Sequence, residues 1–106
     1  MRHFTPRQLK EYLELAKAPP FLLDVRDPWE YQVCCLEDSH LLPMRQIPTT
    51  HQTLDQHRET VVICHHGVRS YQVAYFLEKL GFTNIVNLTG GVAAWAREVD
   101  PTMSTY

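Results

Sequence analysis

Two patterns of apolar and polar residues run along this chain. Leu9, Tyr12, Leu13 and Ala16 recur at three- and four-residue steps, which gathers them on one face of a helix. Thr5-Pro6-Arg7-Gln8 supplies a capping box with proline at the first helical position, and Pro19-Pro20 stops the helix. The second pattern is a short apolar run without alternation, expected of a strand covered on both faces. It occurs at Phe21-Leu22-Leu23-Asp24-Val25, Thr60-Val61-Val62-Ile63 and Asn84-Ile85-Val86-Asn87-Leu88. His40-Leu41-Leu42-Pro43 predicts a weaker strand, which its proline places at a strand end or sheet edge.

Ser70 to Leu80 reads as a helix with Val73, Ala74, Phe76, Leu77 and Leu80 toward a core and Gly81 at its end. Phe82 is then placed to touch Leu77, the contact that accompanies a Schellman stop. Thr60 to Leu88 becomes a strand, helix, strand unit long enough for a parallel crossover. Gly90-Gly91 opens a last short helix carrying Val92, Ala93, Ala94 and Trp95. Alternation of helices and strands predicts a three-layer α/β domain with a mainly parallel sheet. Such sheets form their sites at the carboxyl ends of strands, here Asp24 to Asp27, Cys64 to Ser70 and Thr89 to Gly91.

Length and charge narrow the classes. With 106 residues the chain suits one domain spanning residues 1–106 and is too short for a closed α/β barrel. Its 44% apolar and 21% charged residues are those of an ordinary globule, and a net charge of −2 provides no general field for nucleic acid or an anionic membrane. No run is long enough to span a bilayer and the first residues lack a secretory signal, so the expected location is the cytoplasm. Three cysteines, with Cys34 and Cys35 adjacent, suit reduced thiols better than a disulfide framework.

Cys64 ends a predicted strand, and His65-His66-Gly67-Val68-Arg69-Ser70 leads straight into the next helix. A loop of this kind can aim successive N–H groups at one centre, with the positive end of the helix dipole behind it. A sulfur there has its negative charge stabilised by N–H donors, helix dipole and the Arg69 guanidinium, while Gly67 supplies freedom for the tight turn. The bland alternative is a small buried cysteine closing a strand. Strand-end position, Gly67, Arg69 and the helix together favour a nucleophile over that alternative.

This loop, with Leu23-Asp24-Val25-Arg26-Asp27-Pro28-Trp29-Glu30-Tyr31 and Leu88-Thr89-Gly90-Gly91-Val92-Ala93-Ala94-Trp95, resembles a single-domain rhodanese over nearly the whole chain. The resemblance implies a five-stranded, parallel-type sheet flanked by helices and a sulfurtransferase that holds sulfur as a persulfide on Cys64. His65, His66, Gly67, Val68, Arg69 and Ser70 would form the substrate-binding loop. Thiosulfate or a protein persulfide would be the donor and a thiol or cyanide the acceptor, with no metal or organic cofactor and with no oligomeric state implied. Two features depart from the usual pattern: His65 stands where rhodaneses often have arginine, and Cys34 to His40 replaces the usual Gly-His-Ile stretch.

Three other classes compete. Rhodanese-fold phosphatases have a Cys-to-Arg loop one residue longer; the four residues between Cys64 and Arg69 predict a ring sized for sulfur and cramped for a phosphoryl group. A zinc site fails on spacing, since no Cys-x-x-Cys or His-x-x-x-His pair is present. A non-catalytic binding module would have little need of Cys64. Asp24, Arg26 and Glu30 are expected to make buried polar contacts that fix the neighbouring loop, and Trp95 to pack in the core. Cys34 and Cys35 read as one core and one partly exposed thiol.

Overall fold

Five parallel strands lie in the order β1-β5-β4-β2-β3 in the computed structural model, which describes residues 1–106. In chain order the elements are β1 (Arg2–Phe4), α1 (Pro6–Leu15), β2 (Phe21–Asp24), α2 (Pro28–Val33), β3 (His40–Leu41), α3 (Ile47–Thr50, flanked by short 3₁₀ turns), β4 (Thr60–Ile63), α4 (Val68–Lys79), β5 (Ile85–Leu88) and α5 (Gly91–Glu98). The expected α/β class and parallel sheet are therefore present. β3 is an edge strand, and Pro43 falls just beyond it, where a missing N–H disrupts no ladder.

Each central strand feeds two cores. Along β4, Val61 and Ile63 face a cluster with Leu9, Leu22, Val86, Leu88 and Val92, while Val62 and Cys64 face the other with Leu23, Val73, Ala74, Leu77 and Ile85. Burial on both faces explains the unbroken apolar runs. Each fully buried Val, Leu or Ile contributes about 1.5–3 kcal/mol. Trp95 is half-buried against the first of these clusters, at the core position expected of it.

Helix ends follow local sequence. Thr5 accepts from the Gln8 N–H at 3.2 Å and Gln8 accepts from the Thr5 N–H at 2.9 Å, completing the capping box. At the end of α4, the Gly81 N–H donates to Glu78 O and the Phe82 N–H to Leu77 O, the paired bonds of a Schellman stop.

Two details differ from the pattern reading. β1 has no apolar signature because it is a three-residue edge strand, paired only with β5, with Arg2 and His3 exposed. Phe76 and Leu80, expected in the core, are 36% and 37% exposed. Val73, Ala74 and Leu77 already cover the sheet, and Leu80 lies just past the last residue of α4.

Candidate active site

The chain leaves β4 at Ile63 and reaches the first residue of α4 at Val68, so Cys64 to Gly67 must turn within four residues. Gly67 makes that turn at φ +96°, a left-handed conformation that favours glycine. A side chain there would also meet Gly90 N at 3.1 Å. The loop is clamped from outside by the start of α5: the Val92 N–H donates to Cys64 O at 2.9 Å and the Ala93 N–H to His65 O at 3.1 Å. Gly91 allows this approach, since a Cβ on it would lie 2.3 Å from Cys64 O and 2.4 Å from His65 O. The Gly90-Gly91 pair thus shapes the cysteine loop although it belongs to another element.

Cys64 is 1% exposed. Its Sγ accepts the Gly67 N–H at 3.0 Å and lies 3.2 Å from Ser70 Oγ, to which the thiol donates. Ser70 in turn donates to Asn87 Oδ1, and Asn87 is a buried β5 residue pointing to the Cys64 face of the sheet. Sequence reading did not single out Asn87. Its signal was a polar residue inside the otherwise apolar run Ile85-Val86-Asn87-Leu88.

Arg69, two residues beyond Gly67, is paired with a carboxylate. Its Nη1 and Nη2 donate to Glu30 Oε1 and Oε2 at 2.7 and 2.8 Å, a bidentate pair. Glu30 also accepts the Tyr106 hydroxyl at 2.7 Å and the Asp27 N–H at 3.1 Å. These donors, Arg69 foremost, pull its pKa down to about 2 against the opposing effect of burial. Arg26 is wholly buried, forks onto Asp24, and donates to Cys34 O at 2.7 Å and to the Tyr106 hydroxyl at 2.9 Å. Asp24, Arg26 and Glu30 therefore make the buried polar contacts expected of them.

Tyr106 is a site residue that sequence reading missed. Its ring stacks on His65 at 4.1 Å and meets Trp29 edge-on at 5.2 Å, and burial raises its pKa to about 12. A lone aromatic after a polar turn carries no motif. His65 is half-buried and lies 3.9 Å from the exposed His66 ring. Burial first, then His66, lowers the His65 pKa, with Arg26 and Arg69 adding to this and Glu30 opposing it. Beside it a cavity of about 170 Å³ is lined by Cys34, Val92, Ala93, Arg97 and Tyr106, among others. Val68 faces solvent. Both Cys34 and Cys35 are half-buried and free, and of the pair Cys34 packs against the core cluster that holds Val61 and Val92. Cys35 lines a separate groove with Leu36 and Trp95.

A parallel five-stranded sheet with a cysteine loop between its central strand and the following helix defines a rhodanese-like architecture. Solved structures agree. A rhodanese-like domain protein of Staphylococcus aureus superposes with TM-score 0.84 at 32% identity, covering 93% of this chain and 95% of its own. A rhodanese-related protein of Thermoplasma volcanium gives 0.83 at 30% identity, over 93% and 94%. The rhodanese-like domain family model matches residues 5–98, and the chain belongs to that family. A sulfurtransferase of Allochromatium vinosum is 38% identical over 76 residues, which are 72% of this chain and 71% of the relative. A protein of Mycobacterium tuberculosis named "Probable adenylyltransferase/sulfurtransferase MoeZ" is 36% identical over 104 residues, 96% of this chain, but the chain spans only about a quarter of that relative's length. Both of these relatives carry a sulfurtransferase name. No helix is long and apolar enough to cross a membrane.

Proposed function

We propose that residues 1–106 act as one sulfurtransferase unit in which Cys64 carries the transferred sulfur as a persulfide. The Cys64 thiolate attacks the outer sulfur of thiosulfate or of a persulfide. The donor S–S bond breaks, sulfite or a thiol leaves with the bonding electrons, and the sulfur remains on Cys64. An acceptor thiolate or cyanide then attacks the terminal sulfur and frees the Cys64 thiolate. His65, His66, Gly67, Val68, Arg69 and Ser70 form the loop around the transferred sulfur. The reaction is expected to proceed in the cytoplasm and without metal or organic cofactor.

The observation that carries this reading is the pair of groups on Cys64 Sγ, the Gly67 N–H at 3.0 Å and the Ser70 hydroxyl at 3.2 Å. When the sulfur is ionised, Ser70 turns its proton from Asn87 Oδ1 to Sγ, so the anion gains a second donor without help from water. A phosphatase reading gains nothing from the geometry, because Arg69, the cation such a loop would offer to a phosphoryl group, is held by Glu30.

Intact-protein mass after exposure to a sulfane donor tests the proposal. The protein is expected to gain one sulfur atom, peptide mapping to locate it on Cys64, and a reductant to remove it. Cys64→Ser should neither gain sulfur nor turn over. Retention of transfer by that variant, or a label on Cys34 or Cys35, would defeat the assignment.

A further inference from the structure

We propose that Asn87 is a positioning residue for the nucleophile: by accepting the Ser70 hydroxyl proton it commits Ser70 to receive the proton of Cys64, and so holds the unloaded cysteine as a thiol until that relay reverses. The inference rests on the sulfurtransferase reading for its consequence in sulfur loading, and on the geometry of the relay alone for the state of the sulfur.

Three buried groups form the relay. The Cys64 thiol donates to Ser70 Oγ at 3.2 Å, and Ser70 donates to Asn87 Oδ1. Cys64, Ser70 and Asn87 are 1%, 0% and 4% exposed, so bulk water does not compete for these bonds. Asn87 is the one polar side chain of β5 and stands level with Val62 of β4, two residues before the cysteine. From there its Nδ2 also reaches Gly67 O at 3.5 Å, the outer limit of a hydrogen bond.

A hydroxyl has a single proton, and two acceptors compete for the one on Ser70. With the thiol present, the order S–H to Oγ–H to Oδ1 satisfies every member, and no buried side-chain nitrogen or oxygen lacks a partner. Once the thiol proton has left to solvent, Ser70 can turn its own proton to the sulfur anion only by stripping Asn87 Oδ1 of its donor, and a buried acceptor without a donor is costly. If Ser70 stays on Asn87, the anion keeps only the Gly67 N–H at 3.0 Å. Asn87 opposes ionisation by either route. An apolar residue would not, and the other three side chains of β5 show that the strand packs with apolar residues. The persulfide escapes this restraint, because its bridging Sγ carries neither proton nor charge. The relay therefore restrains the free cysteine and leaves the loaded one alone.

The ionisable groups at this end of the sheet come from four segments. Arg69 of α4 is paired with Glu30 of α2, and Asp24 with Arg26 after β2. The cysteine loop contributes His65, stacked on Tyr106, and His66, while Arg97 of α5 lines the cavity beside His65. All are common to wild type and variants, so a difference between their midpoints reports the relay.

Titration of Cys64 by its ultraviolet thiolate absorbance, taken as the difference from Cys64→Ser, tests the proposal. Asn87→Val removes the acceptor and keeps a residue suited to a strand. The midpoint should fall by about one pH unit, a tenfold change in the ionisation equilibrium. Sulfur loading from thiosulfate, followed against pH, should then cross that of the wild type. It is expected to be about threefold faster well below the midpoint, where more thiolate is present, and about threefold slower on the alkaline plateau, because a less basic thiolate is a weaker nucleophile. In Ser70→Ala, adding Asn87→Val should leave the midpoint where it is.

An unchanged or raised midpoint in Asn87→Val overturns the proposal. So does an equal fall with and without Ser70, which would mean that Asn87 acts through the sheet. If thermal unfolding shows that Asn87→Val does not fold, Asn87→Ala replaces it, and the wild type decides one arm by itself: Cys64 already fully ionised at pH 6 overturns the proposal. Absence of sulfur loading in a protein whose midpoint shifts as expected would instead defeat the sulfurtransferase reading and leave the role of Asn87 standing.

Discussion

Glu30 occupies an unusual position for a carboxylate: 5% of its side chain is exposed, yet it faces Arg69, the Tyr106 hydroxyl and the Asp27 N–H together. These donors favour its charged form enough to outweigh burial, and its pKa falls from 4.5 to about 2. A carboxylate with a depressed folded pKa stabilises the protein above its unfolded pKa and loses that contribution as pH falls through the folded value. The window here lies between about pH 4.5 and about pH 2, and the contribution at neutral pH is at most about 3 kcal/mol. Urea unfolding across that window should show wild-type stability dropping more steeply than that of Glu30→Gln. Parallel curves would show that the Arg69 pair is energetically idle. The same residue illustrates what sequence conveys. The expectation of a buried polar contact at Glu30 holds. Its partner thirty-nine positions away is set by packing of α2 against the cysteine loop, which no local pattern encodes.

Helix α5 shows how one element shapes another's chemistry. Its first free N–H groups, on Val92 and Ala93, reach the carbonyls of Cys64 and His65, turning those oxygens away from the sulfur side of the loop. Such contact demands backbone against backbone, and only glycine at position 91 permits it. Gly91→Ala is therefore expected to lose about 3 kcal/mol or more of stability and to slow sulfane loading of Cys64 severely. Gly81→Ala is the control. Gly81 also has a positive φ, at +101°, but a Cβ there meets nothing nearer than Gln56 Oε1 at 4.0 Å. It should lose only about 1–2 kcal/mol and leave loading intact. Equal effects of the two substitutions on loading would mean that the clamp does not govern the loop. The sequence Gly90-Gly91 signalled a turn and a helix start, but its contact with residues 64 and 65 became visible only with the strands side by side.

At the scale of the whole molecule, the central strands β2, β4 and β5 were legible because each is buried on both faces, and the helices because caps and stops are local chemistry. β1 was not legible, since an edge strand of three residues needs no apolar signature once its backbone is paired. Tyr106 was silent for a related reason: its role depends on Arg26, Glu30 and His65 converging from three other segments. The illegible strand is nonetheless connected to the site. Phe4 O accepts the Thr89 N–H at 2.8 Å, and Thr89 immediately precedes the Gly90-Gly91 turn whose helix clamps the cysteine loop. Phe4 also packs against the cluster that holds Val92. Removal of residues 1–4 should therefore release Thr89, loosen the start of α5 and lower the rate of sulfane loading at Cys64, although none of the four residues lines the site. Amide hydrogen exchange provides the intermediate readout, because protection at Val92 and Ala93 reports their bonds to Cys64 O and His65 O. Faster exchange at Thr89, Val92 and Ala93, with β4 still protected, is the expected pattern. Faster exchange at Thr89 alone, with Val92, Ala93 and loading unchanged, would show that the edge strand serves only the sheet, and that the clamp on the cysteine loop is held entirely by α5 and its packing against α1.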